Sequence, residues 1–224
     1  MSTWISERRL PTLLLCLGLA ACVPGGPFAT ARDSTTLTVG GNAVTVAGPG
    51  GFCIDPGATR ETAESGFTLF GNCATIAGRA DLPQPDLRAV LTATVSGGAG
   101  AATIAGSIDA LDGYFRSTAG RRALSRTGDP ATVEVLETFQ NEAVFYIHAR
   151  DASPGFAPGM SPDYWRAYFD LAGRIVAVSA IGFDAAPLSR AQSLAALRAF
   201  AARIRAANAP EAAAATGPRP AAPV

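Results

Sequence analysis

The sequence predicts an α+β domain: an antiparallel sheet with helices, stapled by one disulfide. Three observations carry this. Short runs of β-branched and apolar residues, punctuated by Gly, Asn and Pro, fill residues 36–97. Helical periodicity is confined to two stretches, 107–124 and the segment behind Ser189. Between those stretches lie two longer strand pairs. Grouped strands with segregated helices describe an α+β order, not an alternating βαβ one.

The elements follow in order. "TLTVGGNAVTV" reads as two strands around Gly40-Gly41-Asn42, a hairpin signal. "GGFCIDP" and "GFTLFGNCATI" read as strands joined by a polar, partly helical turn, and "LRAVLTATVSG" as another strand ending in the flexible "SGGAG". From Ser107 to Leu124 the period changes, and Ile108, Leu111, Phe115 and Ala119 share a helical face. Arg121, Arg122 and Arg126 gather at its end, where the helix dipole favours cations. "TVEVLETFQNEAVFYIHAR" is a hairpin turning at Gln140-Asn141-Glu142, and "YWRAYFDLAGRIVAVSAIGF" one turning within Asp170–Gly173. Ser189-Arg190-Ala191-Gln192 is a capping box. Leu194, Leu197, Ala201 and Ile204 form an apolar stripe behind it.

The N-terminus argues about location. Arg8 and Arg9 precede an apolar run, Leu10–Ala21, which ends in small residues. A bilayer span needs about 20 apolar residues, so the run is too short to cross. Basic, then apolar, then small is the layout of a secretory signal. Leu19-Ala20-Ala21-Cys22 resembles a bacterial lipobox, which implies cleavage before Cys22 and acylation of its thiol. Val23 after the cysteine, where aspartate would signal inner-membrane retention, favours the outer membrane. The alternative is cleavage after Ala29-Thr30-Ala31 and release as a soluble periplasmic or secreted protein. The expected organisation is a signal peptide at 1–21, a flexible tether at 22–34, one domain at 35–208 and an Ala/Pro-rich tail at 209–224.

With Cys16 inside the leader and Cys22 acylated, Cys53 and Cys73 remain. In an exported protein such a pair reads as a disulfide. The spacing is unlike a C-x-x-C redox motif, and two thiolates without further ligands make a poor zinc site.

Two resemblances add to this reading. "YFDLAGRIVAVSAIGF" followed by "SRAQSLAALRAFAARI" is similar to the end of the PsbP/Mog1-like α/β/α sandwich, and "GGFCIDP" resembles its opening strand. The resemblance implies a sheet between helical layers over roughly 48–207. The whole chain, with its GFCID…GNC pair, resembles uncharacterised lipoproteins of alphaproteobacteria, a group sometimes labelled as transport ATPases. No DKTG-type phosphorylation motif is present, so that label is not implied here.

Known reaction motifs are missing. There is no G-x-S-x-G elbow, no HExxH, no EF-hand loop and no lysine with which to build a P-loop. No catalytic residue, metal set or cofactor is expected. The formal net charge is zero, with all 18 basic residues arginine, and gives no argument for nucleic acid. The carboxylates Asp109 and Asp112 read as helix-start residues favoured by the dipole.

The candidate binding surface comes from the second hairpin region. Strand alternation puts Phe145, Ile147 and Ala149 on a core face and Tyr146, the single histidine His148 and Arg150 on the other. On the next strand Trp165, Ala167 and Phe169 point inward and Tyr164, Arg166 and Tyr168 outward. If the strands pair, Tyr146, His148, Tyr164 and Tyr168 share one surface. That surface is either a binding face or a sheet face covered by a helix. The connecting segment 151–163 holds three prolines with Phe156 and Met160. It is longer than an ordinary hairpin loop, so those two side chains either meet a partner or cover the sheet edge. The function class that follows is a lipid-anchored binding or assembly module contacting an envelope partner. The alternatives are an envelope enzyme using His148 and a small-ligand carrier with a pocket between sheet and helix.

Overall fold

The structure, a computed structural model, describes residues 31–97, 103–155 and 157–210. The leader with Cys22, most of the tether, Phe156 and residues 211–224 lie outside the described residues.

The chain is α+β. A first hairpin pairs β1 (Ser34–Val39) with β2 (Asn42–Ala47) around Gly40 and Gly41, both at positive φ. The main sheet holds β3 (Phe52–Ile54), β4 (Arg60–Glu61), β5 (Ser65–Asn72), β6 (Val90–Ser96), β7 (Val133–Asn141), β8 (Val144–Asp151), β9 (Met160–Leu171) and β10 (Arg174–Phe183). Their order is β3-β5-β6-β10-β9-β8-β7, with β4 beside β5, and every pairing is antiparallel. The helices are α1 (Cys73–Ala77), α2 (Ile104–Arg116), α3 (Thr118–Leu124) and α4 (Arg190–Ala207).

Both sheet faces are buried. On one, Leu91, Ala93, Trp165, Ala167, Phe169, Val176 and Val178 pack under α4 and the β1–β2 hairpin. On the other, Phe145, Ile147, Ala149, Tyr164 and Ile181 pack with Ile104 and Phe115 of α2 and Leu124 of α3. The stripe expected on the last helix is there: Leu194, Leu197, Phe200, Ala201 and Ile204 are buried. Its capping box also forms, with Gln192 N donating to Ser189 Oγ and Ser189 N to Gln192 Oε1. Cys53 and Cys73 are bonded, joining β3 to the start of α1.

Several local expectations are corrected. The helix expected over 107–124 is two helices broken at Ser117, whose extended backbone ends α2 and whose Oγ caps Gly120 N. Gly120 permits the fold-back, because a Cβ there would stand 2.1 Å from Tyr114 O. With α2 beginning at Ile104, Asp109 and Asp112 fall inside it. The carboxylate at its N-terminus is instead Asp170 of β9, accepting from Ile104 N and Ala105 N at 3.0 and 3.2 Å. The strand expected through Cys73 ends at Asn72, whose side chain accepts from Ala74 N and Thr75 N and starts α1. The β7–β8 turn lies at Glu142-Ala143, both at positive φ, one step beyond the expected position. A bulge between Val135 and Glu137 turns Leu136 outward at 41 % exposure on this edge strand.

One buried polar atom, Thr68 Oγ1 on β5, has no hydrogen-bond partner among the described residues. An unsatisfied buried hydroxyl costs about 1–3 kcal/mol. Thr68→Val keeps the shape and removes the hydroxyl, so it should raise unfolding free energy by about 1 kcal/mol. Chemical denaturation checks this, and a loss of stability would show that the hydroxyl is satisfied.

Candidate functional site

The β8–β9 register decides which candidate residues meet. His148 faces Trp165 and Tyr146 faces Ala167, whereas Phe145, Ile147 and Ala149 face Tyr168, Arg166 and Tyr164. Directly paired residues share a face. Tyr146 and His148 therefore lie on the α4 side, and Tyr164, Arg166 and Tyr168 on the α2–α3 side. The single surface uniting them does not form.

The α2–α3 group is covered by helix. Tyr164 is buried and donates from its hydroxyl to Leu124 O at 2.8 Å. Burial pushes its phenol up to about 12. The Arg166 guanidinium lies over the Tyr164 ring and donates to Ser179 Oγ at 2.8 Å. Tyr168 packs against Phe115, with ring centroids 4.9 Å apart. Tyr146 is buried too, stacked on Phe139.

The connecting loop is shorter than expected, because β9 begins at Met160 and leaves only 152–159 between the strands. Met160 is buried in the α2–α3 core and pairs with Phe183, so it is not available to a partner. The loop is held from beneath by Asp151, which accepts from Arg126 N, Ser153 N and Ser153 Oγ. Burial alone would raise the Asp151 carboxyl, but these donors outweigh it and hold the group below its ordinary value. The Arg126 side chain donates to Asp151 O, Ser153 O and Ser161 O, tying both strand ends together.

What remains of the expected surface is His148, and it lines a cleft of about 340 Å³. Glu137 of β7, His148 of β8, Asp163 and Trp165 of β9, Leu188 and Arg190 surround it. The capping box fixes the entry of α4 and so places Arg190, its first residue, over the cleft. Arg190 donates twice to Glu137, at 2.6 and 3.2 Å, and its guanidinium stacks over Trp165 and Phe139. Those hydrogen bonds hold the Glu137 carboxyl below the usual range against the opposing effect of burial. Arg150 grips Asp163 in the same two-pronged way, at 2.8 and 3.2 Å.

His148 lies flat on Trp165, with centroids 4.7 Å apart and planes within 6°. Its Nε2 is 3.9 Å from Asp163 Oδ1, beyond hydrogen-bond reach. Burial lowers the imidazole pKa, and the carboxylates of Asp163 and Glu137 only partly restore it. The net effect favours the neutral form of the imidazole. Ser161 also lines the cleft, but its Oγ accepts from Asp163 N at 3.1 Å. No group of three metal-ligating side chains occurs among the described residues.

Chemically, the cleft offers the Glu137–Arg190 pair, the Asp163 carboxylate held from outside by Arg150, an imidazole and an aromatic wall. That set recognises polar and planar groups. Among the described residues His148 makes no hydrogen bond to the Ser161 or Ser193 hydroxyls that line the cleft with it. Glu137 and Arg190 were not among the residues singled out in the sequence. The capping box marked Arg190 as a helix start, but nothing local marks a contact across 53 residues.

His148 is the only histidine in the chain, so its titration can be followed without ambiguity. Its imidazole proton resonance should titrate with a midpoint below 6.5. A folded pKa below the unfolded one means that protonation opposes folding. Stability should therefore fall as pH drops from above 6.5 through the lowered pKa, and His148→Gln should flatten that slope. A midpoint at or above 6.5 would contradict the burial argument. Comparison with protein-family models, curated proteins and solved structures finds no match to this chain.

Proposed function

We propose that the chain is a cell-envelope lipoprotein whose domain works as a non-enzymatic binding or assembly module, with the His148 cleft as the seat for an envelope protein partner. The anchor is the acylated Cys22, facing the periplasm, with the outer membrane favoured by Val23. The apolar run ending in Leu-Ala-Ala-Cys supports the anchor, and the Cys53–Cys73 bond is in keeping with an oxidising compartment. No described helix is long and apolar enough to cross a membrane.

The observation that carries the binding reading is the state of the cleft's charges. Both carboxylates are already held by arginines, and His148 is stacked and has no acid among the described residues within hydrogen-bond reach. Such groups discriminate among partners by shape and complementary polarity. Arg190, partly exposed over the buried Trp165 ring, is also of a residue type that dominates interface energetics.

One experiment covers both halves. Cells expressing the chain are fed an alkyne fatty acid, with a photo-crosslinking residue at Pro187 on the cleft rim or at exposed Arg198 on α4. The protein should take up the label, and Cys22→Ser should abolish it. The Pro187 probe should give one discrete adduct that the Arg198 probe does not give and that Arg190→Ala suppresses. Equal labelling of wild type and Cys22→Ser would refute the anchor. Adducts that ignore both probe position and Arg190 would refute the seat.

A further inference from the structure

A second cavity, of about 400 Å³, lies between α1, the connection from α1 to β6, and the ends of β5 and β10. It shares no lining residue with the His148 cleft. Its wall includes Ile76, Leu87, Val90 and Phe183, all apolar, and its lining includes Arg88. Arg88 is exposed and forms no ion pair or hydrogen bond with any described residue. Most other arginines near a concave surface here are engaged: Arg190 with Glu137, Arg150 with Asp163, Arg116 with Asp112.

The wall is built rather than incidental. Gly51 has φ +81°, and a Cβ there would stand 2.4 Å from Pro85 N and 2.5 Å from Gln84 C. Only glycine lets the 84–85 backbone close onto the sheet at that point. Gly51 O also accepts from Cys73 N at 2.9 Å, and Asn72 Nδ2 lies 3.4 Å from Gln84 Oε1. The other wall is α1, five residues long. A single turn has no stability of its own in water. It stands because Asn72 caps one end, Gly78 at φ +64° closes the other, and the Cys53–Cys73 bond ties its first residue to β3.

We propose that this cavity binds a small amphipathic monocarboxylate, with its hydrocarbon part against Ile76, Leu87, Val90 and Phe183 and its carboxylate on Arg88, and that the disulfide keeps the cavity formed. The volume falls within the range of small-molecule sites. An apolar chain alone would make no use of the guanidinium at the cavity mouth, and a dianion would bring more charge than one arginine answers. The planar guanidinium matches a carboxylate with two parallel donors. This site is independent of the proposed seat at His148, so either can fail alone.

The test is isothermal titration of hexanoate into the full-length chain in nanodiscs, with empty nanodiscs as the blank. Hexanoate should saturate at one per chain. Hexan-1-ol should bind about tenfold or more weakly, the loss expected for one charge-assisted pair, and acetate should not saturate. Arg88→Gln should weaken hexanoate about tenfold with the melting temperature unchanged, whereas Arg198→Gln should do nothing. Reducing the disulfide should weaken hexanoate by a similar factor while the sheet's circular dichroism persists. Failure of hexanoate to saturate, or equal affinity in Arg88→Gln, would overturn the proposal. A tetrapeptide with an apolar C-terminal residue that binds where hexanoate does not would reassign the site to protein C-termini and overturn it equally. Unchanged affinity after full reduction would remove the role of the disulfide, and if reduction unfolds the domain the Arg88 comparison still decides the ligand.

Discussion

Strands β6, β10, β9 and β8 are covered on both faces, and most of the molecule's organisation follows from that constraint. A strand with one wet face alternates apolar and polar residues, but a strand buried on both has no polar face to spare. Val144 through Ala149 are accordingly all buried except His148. Polar atoms carried into the sandwich must be satisfied there. Tyr164 does so through Leu124 O, and Arg166 through Ser179. Asp170 does so by capping α2, which also fixes where the second helical layer begins.

The same constraint locates the cleft. His148 lies toward the end of β8, where the cover from α4 gives way to its capped N-terminus. The covering layer gives way there to the cleft, while Trp165 beneath belongs to the main core. The aromatic floor is buried, and the charged rim is carried by partly exposed, paired side chains. At the Asn72 end of β5 the sheet closes differently. There the disulfide, a cap and a tight glycine contact stand in for a covering helix, and the second cavity opens beneath them.

How much of this was legible in the sequence varies with the range of the interaction. The capping box at Ser189 and the Gly40-Gly41 turn are local signals, and both elements form where their residues place them. The two cysteines were legible from compartment and count alone. The face assignment on β8 and β9 failed for a physical reason. Alternation was read as inside against outside, which holds only for a sheet with one solvated face. Alternation alone sets Tyr146 and Tyr164 both outward, although pairing sets them on opposite sides. The split of α2 from α3 was hidden because Ser117 and Gly120 interrupt a helical period only mildly. Their effect depends on Gly120 meeting the Tyr114 carbonyl. Glu137 as the partner of Arg190 was not legible at all, since only the packing of α4 against the sheet brings them together.

The central claim is that the cleft is built on the most protected part of the fold. Native-state hydrogen exchange on the intact chain addresses it directly, residue by residue. The His148 and Trp165 amides should exchange only through global unfolding, with opening free energies equal to those of Ala93 and Val178 in the middle of the sheet. Opening of His148 and Trp165 by local fluctuation, as readily as the 152–159 loop beside them, would contradict the account and make the cleft a feature of a mobile edge.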